Sequence, residues 1–90
     1  MKYQSIYKVV NKIPYTRFID HSDNFYDLWL IMEIPSKHIR VWVVNGLSGY
    51  EISTASLDYG CDTREYHESY KHHYFKRIGD MVKFIESELI

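Results

Sequence analysis

The sequence predicts an α+β domain with the element order α-β-β-β-α, a three-stranded antiparallel sheet packed by an N-terminal helix and a longer C-terminal helix. Three observations carry this. Apolar residues recur at helical spacing near both ends of the chain, the middle holds two runs of branched and aromatic residues split only by "PSK" (35–37), and turn-forming residues bracket that middle.

Tyr3, Ile6, Tyr7 and Val10 stand at i, i+3, i+4 and i+7, and Pro14 disfavours helical backbone at the residue before it, so residues 3–12 are expected to form a short helix. "DHSDN" (20–24) consists of short polar side chains that bond their own backbone, which predicts a loop. Residues 25–34 and 38–45 then read as two strands of a hairpin. With Ser36 and Lys37 as its loop, Ile34 falls opposite Ile39, Met32 opposite Val41 and Leu30 opposite Val43, an aliphatic face that belongs in the core. The same register sets Glu33 against Arg40, Ile31 against Trp42 and Trp29 against Val44, and the favourable charge pair supports it independently. "NGLSG" (45–49) turns the chain into a third strand, 50–57. "DYGCD" (58–62) breaks the pattern, and Asp62 followed by Glu65 resembles a capping box opening a helix over 62–90. Gly79 costs such a helix about 1 kcal/mol relative to alanine, so a kink or restart at Gly79 and Asp80 is the alternative.

No repeat, linker or low-complexity tract divides the chain, so residues 1–90 are expected to be one domain. Its 46% hydrophobic and 17% aromatic content is that of a folded globule. A net charge of -1 argues against a dedicated nucleic-acid binder, whose affinity rests on neutralising phosphates, and equally against an acidic DNA mimic. The single cysteine, Cys61, has no internal disulfide partner, and residues 1–12 have neither the apolar core of a signal peptide nor the length of a membrane span. The expected location is the cytoplasm, without membrane contact.

The stretch richest in chemistry is "REYHESYKHHYFKR" (64–77). On a helical wheel, Tyr66, Tyr70, Tyr74, Ile78, Met81, Ile85 and Leu89 fill an apolar stripe roughly 140° wide, while His67, His72 and His73 point near roughly 100°, 240° and 340°. Metal ligands must converge. Glu68 and His72 share a face, with Cys61 or His21 as conceivable additions, but such an i, i+4 pair is expected to be a solvated surface pair, so no metal and no cofactor are predicted. Lys71, Lys76, Arg77 and Lys83 scatter around the same wheel. The element order resembles the topology of the double-stranded RNA-binding domain, whose Lys-rich opening of the second helix is missing from "TREYHESYK". Asp20, His21, Ser22 and Asp23 are hydrolase residue types, but neighbours in one loop seldom meet as nucleophile, base and acid. With no phosphate-binding glycine loop, dinucleotide fingerprint or Cys-x-x-Cys, an enzyme is the least expected class.

A sheet that gives its aliphatic face to the helices leaves Trp29, Ile31, Arg40, Trp42 and Val44 on the other. Apolar patches of this kind mark partner sites, and Trp and Arg are enriched among binding hot spots. The expected function is therefore stoichiometric occlusion of a heterologous protein by this face, with a homodimer, or a helix on each face, as the rival ways of covering it. In style, the short motif-free chain resembles many small proteins encoded by phages and mobile elements, some of which inhibit host enzymes such as defence nucleases. The runner-up is a nucleic-acid-binding or transcription-regulatory domain that stacks bases on the sheet aromatics beside Arg40 and the lysines of the last helix. Five histidines also make acid-sensitive association conceivable, without singling one out.

Overall fold

The computed structural model describes residues 4–13, 17–23, 27–46, 49–58 and 69–90. In order they form α1 (Gln4–Val10), β1 (Arg17–Asp23), β2 (Leu28–Ile34), a 3-10 turn (Pro35–Lys37), β3 (Ile39–Gly46), β4 (Gly49–Ser56), β5 (Lys71–Phe75) and α2 (Ile78–Glu88). The strands make one five-stranded antiparallel sheet in sequence order, β1-β2-β3-β4-β5.

The hairpin register is the expected one: Ile34 opposite Ile39, Glu33 opposite Arg40, Met32 opposite Val41, Ile31 opposite Trp42 and Trp29 opposite Val44. His38 closes its turn in the left-handed region (φ 55°, ψ 40°), a conformation in which histidine is over-represented, and its amide donates to the Pro35 carbonyl at 3.1 Å. Because opposed residues of antiparallel strands share a face, the pairings sort the sheet into two sides. Leu28, Leu30, Met32, Ile34, Val41, Val43 and Ile52 line the inner side and are buried. Both helices pack there. Ile6, Val9 and Val10 of α1, Ile13 in the turn after it, and Met81, Ile85 and Leu89 at i, i+4 and i+8 of the second helical segment join one core cluster with the sheet.

Three expectations are corrected. The sheet has five strands where three were predicted, because both flanking segments were assigned to other structure. Residues 20–23 of the predicted "DHSDN" loop are the end of β1, which pairs with β2 and carries a register shift between Phe18 and Asp20. Asp and Ser are poor strand formers in a sheet interior, but on an edge strand charged residues and a bulge are tolerated and discourage pairing with a further chain. The predicted helix over 62–90 is shorter and later. Lys71–Phe75 is an edge strand against β4, and α2 starts at Ile78 with Arg77 as its N-cap, so the restart near Gly79 is the version that holds, one residue early. Tyrosine, phenylalanine and histidine are weak helix formers, the first two are good strand formers, and β4 presents an edge for them to join. Tyr3, the proposed capping pair Asp62 and Glu65, and Cys61, Tyr66, His67 and Glu68 lie outside the described residues.

Candidate functional site

The outer side of the sheet runs in three cross-strand rows: Glu33, Arg40 and Ala55; Ile31, Trp42, Ser53 and His72; and Trp29, Val44, Glu51 and Tyr74. All five predicted partner-binding residues therefore lie together here, on β2 and β3. They differ in access. Trp42 is 4% exposed and Arg40 7%, whereas Trp29, Ile31 and Val44 are half-buried.

A small layer built on β3 and β4 explains part of this burial. Tyr70, just before β5, meets the Trp42 ring edge to face, with centroids 6.3 Å apart, and its hydroxyl donates to Ser53 Oγ at 3.0 Å. Ser69 Oγ accepts from the Ser56 amide at 3.0 Å and ties the same segment to the end of β4. Arg40 Nη2 donates to Glu33 Oε2 at 3.1 Å, joining two side chains that are largely out of solvent. Such a charge-assisted bond in a sheltered position fixes the register of β2 against β3, since removing one partner would leave the other charge poorly solvated.

Toward β5 the face becomes polar. His72 Nε2 and Glu51 Oε1 are 3.0 Å apart, both side chains being roughly half exposed, and Tyr74 is 49% exposed. Ser53, His72 and Glu51 are thus a serine, a histidine and a carboxylate on adjacent strands. The hydroxyl, however, is buried and bonded by Tyr70, and among the described residues no hydrogen bond joins His72 to Ser53, so a nucleophile–base pair is not assembled. No described cluster of three His, Cys, Asp or Glu is placed to hold a metal ion, and the side chains of Cys61 and Glu68 are outside the described residues. At the rim, His38 Nε2 and Asp58 Oδ1 are 2.8 Å apart across the β2–β3 turn and the exit of β4. That hydrogen bond, a further one with Ser56 and the imidazole's charge hold the Asp58 carboxyl below the usual carboxylate range.

Tyr70, Ser53, Glu51, His72 and Tyr74 were not in the predicted site. Tyr70, His72 and Tyr74 share a side if the segment is a strand, but Tyr70, Tyr74 and Ile78 also share a side of a helix, so the spacing does not single them out. Among the described residues, no helix is long and apolar enough to cross a membrane. Compared with known protein families, with characterised proteins and with solved structures, the chain matches none.

Proposed function

We propose that this chain is a non-enzymatic protein-binding module that acts by stoichiometric occlusion of a partner protein, taking it on the outer sheet face at Trp29, Ile31 and Val44. One observation carries the reading: both helices lie on the inner side, so none of the described elements packs across the face that holds these residues. Buried Trp42 and Arg40 then act from beneath, the first as a rigid floor and the second by holding β2 and β3 in register. The segment 71–77 along one margin, KHHYFKR, contains no acidic residue and exposes Lys76 and Arg77. A fitting partner therefore presents an apolar patch with acidic groups on the side that meets β5. Inhibition of a host enzyme such as a defence nuclease, by a protein of phage or mobile-element origin, is one form this occlusion would take.

The same margin favours a second reading. Half-exposed Tyr74 beside Lys76 and Arg77 is a stacking group next to cations, the combination that grips single-stranded nucleic acid. Arg40 is bonded to Glu33, and Lys71 and Lys76 lie on and just after β5 rather than on the last helix, so the cations of this reading are those beside Tyr74. Capture from a lysate with the tagged full chain, with and without nuclease and over a salt series, separates the two. Occlusion of a protein predicts one stoichiometric protein that survives nuclease and elutes little as salt rises from about 50 to 200 mM. Phosphate binding predicts nuclease sensitivity and steep loss over that range.

A further inference from the structure

We propose that a notch on the inner side of the sheet, between the start of β5 and the last turn of α2, is a binding site for a free amino acid with an apolar side chain. Strand alternation sends Lys71 and His73 to this side, opposite Thr54 and Ile52 of β4. The His73 ring rests on Phe84 of α2 with centroids 4.5 Å apart. A cavity of about 330 Å³ opens there, with Lys71 on the strand wall and Glu88 on the helix wall. That volume is at the small end of ligand pockets and suits a molecule of amino-acid size.

The charges define the ligand. Lys71 and Glu88 line one notch with opposite charge, yet among the described residues neither side chain makes a hydrogen bond or ion pair, with the other or with any neighbour. An ammonium with three donors and a carboxylate thus line the same notch, each open to a ligand of opposite charge. A zwitterion answers both, its carboxylate toward Lys71 and its ammonium toward Glu88, with the Thr54 hydroxyl as a further partner. Ile39, Phe84 and Leu89 supply the apolar wall for its side chain. The competing arrangement is a direct Lys71–Glu88 ion pair that closes the notch. This site lies on the opposite side of the sheet from Trp29, so its failure leaves the docking reading untouched.

The test is a titration of the isotope-labelled full chain with L-leucine, followed by amide chemical shifts. It is repeated with leucinamide, which lacks the carboxylate, and with 4-methylpentanoate, which lacks the ammonium. Saturable shifts centred on Thr54, Lys71, His73, Phe84 and Glu88 are expected, with each analogue about tenfold weaker for the loss of one charge-assisted contact. Lys71→Gln should weaken leucine but not leucinamide, and Glu88→Gln should weaken leucine but not 4-methylpentanoate. Both positions are exposed, so both variants should keep the native spectrum elsewhere. Absence of a saturable shift, a shift centred elsewhere, analogues that bind as well as leucine, or glutamine variants that bind leucine like the parent would each overturn the site.

Discussion

Trp42 and Trp29 occupy the same face two strand positions apart in register, and only Trp29 keeps access to solvent. Trp42→Ala should therefore cost about 3 kcal/mol or more in urea denaturation, the usual loss for a buried aromatic, and Trp29→Ala less than about 1.5 kcal/mol. Equal losses would mean that the two are equally buried. At Gly49, φ is +146° and an added Cβ would lie 2.7 Å from Tyr74 Oη and 3.0 Å from the Phe75 carbonyl oxygen. Gly49→Ala strains both the backbone and the β4–β5 contact and should destabilise by more than about 1 kcal/mol in thermal melts. Asp58 gives a pH signature. Its carboxyl is depressed in the folded chain by His38 first and by Ser56 next, so its contribution is complete above the ordinary carboxylate value and fades as pH falls through the folded one. Asp58→Asn should thus lower the melting temperature slightly at neutral pH and leave it unchanged in strong acid. A loss that is the same at both pH values would contradict the assignment.

Among the elements, the hairpin was legible because two independent patterns, aliphatic against aliphatic and Glu33 against Arg40, agree on a single register. Segment 70–77 was not, for a reason visible in its spacing. Tyr70, Tyr74 and Ile78 stand four apart, which places them on one side of a helix and also on one side of a strand. What separates the alternatives is tertiary: β4 has an edge to fill, and Phe84 waits on α2 for His73 and Phe75, at 4.5 and 5.6 Å. β1 was hidden because edge strands accept the polar residues that also make loops. Two measurements check these elements. Lys71–Phe75 should show the Cα chemical shifts of extended backbone, helical shifts being the contrary result. Met81→Ala should cost about 2–5 kcal/mol, whereas Lys83→Ala on the exposed side of α2 should stay within about 0.5 kcal/mol.

For the molecule as a whole, sidedness is the central property. Two helices share one side of a five-stranded sheet and bury its aliphatic residues, and none of the described helices lies on the outer face. That Trp29, Ile31, Arg40, Trp42 and Val44 would share this face was readable from the hairpin alone. The burial of Trp42 was not, since Tyr70, whose ring meets it edge to face, was expected in a long last helix and instead lies just before β5. The difference matters for testing, because Trp42→Asp would put a carboxylate in a buried position and unfold the chain before it reported on any partner. The decisive measurement is therefore capture of the partner by the tagged full chain, with Trp29→Asp on the outer face compared against Lys83→Asp on α2, both first shown to melt near the parent temperature. Docking on the outer face predicts that the stoichiometric protein partner is lost with Trp29→Asp and retained with Lys83→Asp. Retention of the partner by Trp29→Asp would place its contact somewhere other than this face and contradict the proposed function.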